Sequence, residues 1–217
     1  MHCIYLIYPR LKGLLRKRQE PRSWKKSRRK WSCNVYFSRP SRAYWLIVAA
    51  FALLLQGCAG HTLDDYDQRK PNFVAENFFA GCLMAYGVVQ DRSGAAARTF
   101  TASIDAHWDA GVGYLDEQFV FDDGERQTRK WQLVADGAGR YRATANDVSG
   151  EGRASVNGNA FKLDYRLQIN YRGKPLVLAV EDWMWLVDNS VLINQSTLRK
   201  FGVRVGNIVL TIIRDAC

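Results

Sequence analysis

The sequence predicts an all-β domain that closes into one antiparallel barrel, and a strict alternation of apolar and polar residues carries this prediction. The alternation is unbroken from Phe161 to Arg172, where aromatic or aliphatic side chains take turns with charged or amide ones. A period of two places every apolar side chain on one face of a strand, whereas a helix would scatter the charges around every side. This stretch is therefore predicted to be an antiparallel strand with one buried face.

Shorter alternating stretches and turn residues follow one another along the rest of the chain. Strands are predicted at 83–90, 100–108, 112–121, 126–135, 139–147, 152–157, 174–187, 190–195 and 203–213, with turns such as Asp122-Asp123-Gly124 and Asn157-Gly158 between them. Nine or ten strands joined by hairpins favour an up-and-down barrel, because closure removes exposed strand edges. A β-sandwich stays the alternative, since alternation alone does not distinguish the two. A short helix is predicted over Phe73–Phe79, after Pro71 and before Gly81.

A basic leader and an apolar run precede this domain. Tyr44–Leu55 is apolar throughout, and as a helix it would rise roughly 18 Å, well short of a hydrocarbon core of about 30 Å. It is therefore predicted to be the apolar part of an export signal. The run ends in Leu55-Gln56-Gly57-Cys58, which resembles a bacterial lipobox, where the cysteine is acylated on sulfur and begins the mature protein. Residues 1–43 are predicted to be disordered. Alternatively, translation starts downstream, near Val35, which would leave Arg39 and Arg42 as a compact basic region before the apolar run.

The chain is thus divided into a leader (1–43), a signal segment (44–57), a lipidated N-terminus and tether (58–71), and a barrel domain (72–217). The net charge of +10 belongs to the first two segments, which hold thirteen Lys/Arg and one acid, whereas the mature part holds eighteen and twenty. A mature part with a net charge of −2 offers no basic face for nucleic acid. Ala59 stands where an aspartate would resemble an inner-membrane retention signal, so the predicted location is the periplasmic face of the outer membrane.

Two cysteines remain in the barrel domain, Cys82 and Cys217. The predicted compartment permits disulfides, and a bridge between them would close nearly the whole domain. On chain-entropy grounds it would stabilise the fold by about 4–5 kcal/mol. The alternative is a buried small thiol at Cys82 and a frayed terminus at Cys217.

Several separated motifs resemble one family. They are Phe78-Phe79-Ala80-Gly81, Gly87-Val88-Val89-Gln90-Asp91-Arg92-Ser93-Gly94, Asp122-Asp123-Gly124-Glu125, Asp182-Trp183-Met184-Trp185-Leu186 and Lys200-Phe201-Gly202. Together they are similar to uncharacterised lipoproteins of Gram-negative bacteria that carry a domain-of-unknown-function label, and the similarity runs from about Cys58 to Arg214. The resemblance implies a lipocalin-like barrel, supplies no catalytic residue and points towards lipid as a ligand class.

Bulky aromatic side chains are the candidate ligand-binding residues. Trp131, Tyr165, Trp183 and Trp185 are predicted to line a cavity, because such rings offer a large apolar wall with a polar atom. The alternative is that they fill the core of a small barrel. A continuous cavity above about 300 Å³ would favour binding over a filled core.

Two clusters of polar residues are weaker candidates. Asp105, His107 and Asp109 alternate and share one strand face, a spacing that could hold a metal or mark a solvated face. Glu181 and Asp182 adjoin two tryptophans but point to opposite faces, and a buried carboxyl there would have a raised pKa.

The chain contains no G-x-S-x-G motif, P-loop, dinucleotide fingerprint or C-x-x-C pair, so neither an enzyme nor a cofactor is predicted. The predicted function is a lipid-anchored carrier of a small hydrophobic molecule, such as a fatty acid or lipid. The alternative is an interaction lipoprotein of the cell envelope with a filled core.

Overall fold

The computed structural model describes residues 60–214 with the exception of Arg172. Within this range a 3-10 helix spans Leu63–Tyr66 and the helix α1 spans Ala75–Phe78. The strands are β1 (Gly81–Asp91), β2 (Ala96–Asp109), β3 (Val112–Phe121), β4 (Arg126–Ala135), β5 (Arg140–Ala145), β6 (Gly152–Asn157), β7 (Ala160–Tyr171), β8 (Lys174–Leu186), β9 (Val191–Lys200) and β10 (Val203–Arg214). In this part of the chain, no helix has the length and apolar character needed to span a bilayer. The signal segment, Cys58 and Cys217 lie outside the described residues.

The ten strands described between residues 60 and 214 form one closed antiparallel barrel. Each strand pairs with the next one along the chain, and β1 closes the ring by pairing with β10, from Leu83 opposite Arg214 to Asp91 opposite Gly206. The predicted up-and-down barrel is confirmed. A sandwich does not describe this topology, because the first and last strands are hydrogen-bonded to each other.

Alternation of the side chains decides which residues face the interior. On β7, Phe161, Leu163, Tyr165 and Leu167 are buried, whereas the residues between them lie towards the outside. The same two-residue period runs through β2, where Phe100 to Ala106 alternate between buried and exposed or half-buried positions. The pattern that predicted the strands therefore also sets the interior of the barrel.

One end of the barrel, here called the closed end, is filled by aromatic rings. The ring of Phe73 lies 5.3 Å from that of Phe161, and the ring of Phe79 lies 6.0 Å from it. Trp108 Nε1 donates a 2.8 Å hydrogen bond to the Phe79 carbonyl, and the Tyr141 hydroxyl donates to Glu76 on α1. The turns after β1, β3, β5, β7 and β9 lie at the opposite end, here called the open end.

Residues 60–73, here called the N-terminal strap, pack along the outside of the barrel as far as Phe73, whose ring enters the closed end. The His61 ring lies 4.3 Å from that of Trp183, and the Tyr66 ring lies 5.8 Å from it. Asn157 Nδ2 donates to the Leu63 carbonyl, and the Phe73 amide donates to the Gly158 carbonyl at 2.7 Å. The described part of the predicted tether is therefore docked onto strands β6–β8.

Candidate functional site

The barrel encloses a cavity of about 640 Å³. It runs from Phe79 and Phe161 at the closed end to Arg98, Glu125 and Asn170 at the open end. Small-molecule sites in proteins usually measure about 300–1,000 Å³. The described barrel therefore has room for one small molecule and does not have the filled core that the sequence left as the alternative.

Small inward-facing residues leave this space open. Ala85 on β1 lies opposite Ala102 on β2, and both side chains point into the cavity. Gly87, the next inward position on β1, lies directly beneath the Phe100 ring, so even a methyl group there would collide with it. The alanine pair therefore leaves space to the cavity, whereas the space over Gly87 is occupied by the Phe100 ring.

A group of polar side chains crosses the cavity at mid-depth. This polar belt consists of Glu117, Arg129, Asp147, Asp182, Asn194 and Ser196, all of which line the cavity. Glu117 and Arg129 are register partners on β3 and β4, and Asp182 and Ser196 are partners on β8 and β9. The belt therefore has groups on two separate parts of the barrel wall, with apolar side chains above and below it.

Arg129 and Asp147 form the closest ion pair of the polar belt. Arg129 Nε donates to Asp147 at 2.8 and 3.0 Å, and Arg129 Nη2 lies 2.8 Å from Asp147 Oδ2. Glu117 Oε2 lies 3.9 Å from Arg129 Nη1, too far for a hydrogen bond. Among the described residues, no donor reaches this buried Glu117 oxygen.

Asp182 is the second acid inside the barrel. Its side chain is buried and accepts hydrogen bonds at Oδ1 from Asn194 Nδ2 and, at 2.9 Å, from Ser196 Oγ. Neutral donors solvate a carboxylate less completely than a cation would. The Asp182 carboxyl group can therefore still accept a hydrogen bond from a molecule in the cavity.

Burial shifts the protonation of these groups. It raises the pKa of Glu117 to about 7, although the Arg129 charge and a hydrogen bond from Trp131 to the carboxyl group work in the opposite direction. It raises the pKa of Asp182 to about 6, opposed by the hydrogen bonds from Asn194 and Ser196. Burial also raises the pKa of Tyr165, so this phenol stays protonated. Both acids therefore change charge near neutral pH.

The four aromatic residues predicted to line a pocket divide into two pairs. Trp131 and Tyr165 do line the cavity, where their rings meet edge to face with centroids 5.2 Å apart. Trp183 and Trp185 stack on each other on the outer face of β8, beneath the N-terminal strap. The prediction for these two is corrected: the strap covers the outer side of β8, so this strand carries large apolar side chains on both faces.

The weaker candidates are also placed by the structure. Asp105, His107 and Asp109 are exposed on the outer face of β2, and His107 stacks on Tyr114 with ring centroids 5.1 Å apart. Among the described residues, no group of three potential ligands could hold a metal ion. Glu181 lies outside and accepts from Trp183 Nε1, whereas Asp182 points inward.

The predicted bridge and lipidation site lie at the edges of what the structure describes. Cys82 on β1 is disulfide-bonded. Its predicted partner Cys217 lies outside the described residues, three positions after Arg214, the residue that pairs with Leu83. The Cys82–Cys217 pairing and the acylation of Cys58 therefore stay predictions.

Five of the six residues of the polar belt were missed by sequence reasoning, Glu117 and Arg129 among them. Glu117 lies two positions from both Leu115 and Phe119, and Arg129 lies two positions from Trp131, all of them on inward-facing sides of their strands. A charged residue in phase with an apolar strand face is the signal that would have identified them.

Solved structures resemble the chain in fold, and one protein family resembles it in sequence. No curated protein matches it. Among solved structures, the S-type phycobiliprotein lyase CPES from Guillardia theta superposes with a TM-score of 0.51 at 13% identity, covering 73% of this chain and 99% of the lyase. A protein of unknown function from the DUF3598 family of Nostoc punctiforme superposes with a TM-score of 0.47 at 15% identity. The superposition covers 67% of this chain and 50% of the Nostoc protein.

At 13% identity the likeness to the lyase shows a shared fold and says nothing about chemistry. The family assignment comes from sequence. Residues 52–214 match the family described as protein of unknown function DUF3833. This match covers most of the chain, including every strand of the barrel, so the chain belongs to the DUF3833 family.

Proposed function

We propose that the barrel binds and carries one small, mainly apolar molecule. The observation that carries this proposal is the cavity of about 640 Å³ between Phe79 and Arg98. Apolar surface buried in such a site contributes about 25 cal/mol per Å², or about 0.8 kcal/mol for each methylene group. An acyl chain or a ring system would therefore gain several kcal/mol after its ordering costs.

The proposal places this carrier at the periplasmic face of the outer membrane, held by acyl chains on Cys58. The apolar run Tyr44–Leu55 and the lipobox-like ending support it. The strap supports it too, because it contacts the barrel from His61 onward, so few residues of the sequence separate Cys58 from the barrel surface. An anchor at Cys58 would therefore hold the barrel close to the bilayer.

Binding can be tested with a neutral apolar fluorophore, 1-N-phenylnaphthylamine. The full-length chain is reconstituted in phosphatidylcholine nanodiscs, and empty nanodiscs correct for partition into lipid. We expect saturable binding that Ala102→Leu weakens at least about tenfold, about 1.4 kcal/mol, because the added methyl groups enter the cavity. Ala85→Leu, on the facing strand position, should act in the same way.

The matched control is Ala179→Leu, which makes the same change at an exposed position of β8. It should leave the affinity unchanged. Binding that is absent in the wild-type chain, or equally weak in all three variants, would contradict the proposal. Circular dichroism of each variant confirms that the barrel is folded.

Mass spectrometry tests whether the chain is anchored through Cys58. The chain extracted from membranes should start at Cys58 and carry the added mass of acyl chains, and Cys58→Ser should move the protein to the soluble periplasmic fraction. An intact chain with an unmodified, internal Cys58 would contradict the anchor without touching the binding proposal.

The proposal includes that the barrel carries its ligand without converting it to a product. Glu117 could move a proton in the cavity, since its pKa of about 7 suits an acid or base, so the proposal needs a test that distinguishes carriage from conversion. Native mass spectrometry of the membrane-extracted chain should show a bound molecule whose mass stays constant over hours of incubation. Conversion of that molecule to a product would identify an enzyme instead.

A further inference from the structure

The charged groups of the cavity wall are unevenly divided. The described lining contains two arginines, Arg98 and Arg129, and four carboxyl groups, those of Glu117, Glu125, Asp147 and Asp182. An anionic ligand would need a cation that is not already neutralised. The partners of the two arginines therefore decide which ligands the cavity accepts.

Both arginines are already paired with carboxylates. At the open end, Arg98 Nη2 lies 2.8 Å from Asp123 and 2.8 Å from Glu125. At mid-depth, Arg129 holds Asp147 in a two-nitrogen contact with distances of 2.8–3.0 Å. The charge of Arg129 at mid-depth is therefore already compensated by Asp147. Arg98 keeps a buried Nε without an acceptor among the described residues, so a carboxylate or phosphate is better accommodated at the open end than at the polar belt.

The acids, in contrast, retain unused acceptor capacity. Glu117 Oε2 is buried, and no donor in the described part of the chain reaches it; the Glu117 side chain is 13% exposed. Asp182, on β8, is held by neutral donors alone. An unpaired buried acceptor costs about 1–3 kcal/mol, which a donor on a ligand would remove.

We propose that the molecule bound in this cavity presents a hydrogen-bond-donating group, cationic or neutral, to Glu117 and Asp182, and that it carries no carboxylate or phosphate at that depth. This rests on the proposed binding function and narrows its ligand class. Long-chain amines, amides and ring systems with N–H groups fit the description. A free fatty acid with its carboxylate at the level of Glu117 and Asp182 does not.

The charges of the polar belt favour a cationic ligand over an anionic one. An anion placed between Glu117 and Asp182 would face two acids and the already neutralised Arg129–Asp147 pair, in surroundings where unlike charges attract and like charges repel more strongly than in water. A cation at the same place would stabilise the ionised form of both acids and would form ion pairs with them. Tyr165, the other titratable group facing this space, stays a neutral donor.

The position of the belt also limits the shape of the ligand. Phe79 and Phe161 form an apolar floor below it, and Phe100, Phe119 and Phe121 line the walls above it. A donor group at mid-depth therefore has an apolar part of the ligand beneath it. A chain that enters from the open end would lie with its tail on the floor and its donor at the level of Glu117.

The test compares three probes of one chain length: dodecylamine, dodecanol and laurate. Each displaces 1-N-phenylnaphthylamine from the full-length chain in phosphatidylcholine nanodiscs at pH 8, where Glu117 and Asp182 are ionised in the empty barrel. We expect the Kd of dodecylamine to be at least about tenfold below that of laurate, about 1.4 kcal/mol, with dodecanol between them. Glu117→Gln combined with Asp182→Asn should bring amine and laurate within about threefold of each other.

The control is a double variant with the same chemistry outside the cavity, Asp116→Asn with Glu151→Gln. Both residues are exposed, and both face away from the interior. It should leave the ratio of the two affinities unchanged. Laurate that binds as tightly as dodecylamine, or a ratio that the control changes as much as the cavity variant does, would overturn the inference. If neither the fluorophore nor any probe binds, the proposed binding function fails, and this inference fails with it.

Discussion

At the scale of single residues, Glu117 is the side chain whose surroundings fit its charge least well. It lies inside the barrel, its oxygen Oε2 has no donor in the described chain, and Arg129 is held by Asp147. Burial raises the pKa of Glu117 to about 7, from an ordinary value of 4.5. The folded protein therefore binds a proton here that the unfolded chain has already released at pH 6.

Glu117→Gln should consequently change how stability depends on pH. Because the folded pKa is raised, the contribution of Glu117 is most favourable below pH 4.5 and is lost as the pH rises towards 7. Glutamine cannot ionise and does not suffer this loss. We expect the free energy of unfolding of the variant, relative to the wild type, to increase by up to about 3 kcal/mol between pH 4.5 and pH 8.

Denaturant unfolding followed by tryptophan fluorescence at the two pH values measures this difference. Asp116→Asn is the matched control, since Asp116 is the preceding residue, lies on the outer face and pairs with Lys130 at 2.8 Å. Its effect should be small and nearly the same at both pH values. A Glu117→Gln effect that does not change with pH would show that the carboxyl group ionises normally in the folded state.

What the sequence reveals about individual residues depends on their neighbours. Asp182 could be assigned to the face of Met184 and Leu186, and it is indeed buried with a raised pKa. Glu117 was hidden by Asp116, because two adjacent acids always place one on each face. Only the phase set by Leu115 and Phe119 shows which one points inward, and the pairing of Arg129 with Asp147 joins parts of the chain that no local pattern connects.

At the scale of elements, β8 is the strand that departs from a simple inside-and-outside pattern. Leu178 and Val180 face the interior, while the outer face carries Trp183 and Trp185 under the N-terminal strap. Alternation separates the two faces of a strand but does not say which is interior when both are apolar. This is why the aromatic pair was predicted to line the pocket although the strand itself was correctly identified.

The strap is fixed where it crosses the turn between β6 and β7. Gly158 has a φ of +52°, and a Cβ atom at this position would collide with the Tyr66 carbonyl. Gly158→Ala should therefore push the strap away from the barrel. We expect a loss of at least about 1 kcal/mol beyond the ordinary cost of alanine at positive φ, which is itself about 1 kcal/mol.

Gly150→Ala separates these two contributions. Gly150 has a φ of +81°, and no atom lies within 4 Å of the place that an added methyl group would take, so this variant reports backbone strain alone. Hydrogen exchange of residues 62–69 and acrylamide quenching of Trp183 should increase in Gly158→Ala and not in Gly150→Ala. Equal losses of stability with an undisturbed strap would mean that the collision is relieved locally.

At the scale of the whole molecule, closure of the barrel could be anticipated from the sequence, but the strand pair that closes it could not be identified with certainty. The number of hairpin-linked strands favoured closure, yet the pairing of β1 with β10 joins residues more than 100 positions apart. The open cavity was even less accessible from sequence. It depends on which inward positions of neighbouring strands carry small side chains, such as Ala85 opposite Ala102, and this becomes known only when the register is known.

A closed barrel has no edge strand, so its weakest seam, the strand pair that separates most easily, should be the pair with the fewest paired residues. That pair is β5 and β6, which are joined only from Arg140 opposite Ser155 to Ala143 opposite Gly152. The closing pair β1 and β10 extends from Leu83 to Asp91. Regions with few hydrogen-bonded partners open at lower free energy than the global transition. Opening should therefore start at β5 and β6, and not at the chain termini.

Native-state hydrogen exchange can locate this seam. Among the described strands, we expect the amides of β5 and β6 to exchange fastest, while those of β1 and β10 exchange as slowly as those of β7 and β8. Asp147 lies in the connection between β5 and β6 and is held by Arg129, so Asp147→Asn should accelerate exchange at this seam further. Asp164→Asn, which removes an exposed partner of Lys162, should not. Faster exchange in β1 and β10 than in β5 and β6 would place the weak seam at the closure instead, and the barrel would then open along the line where its first and last strands meet.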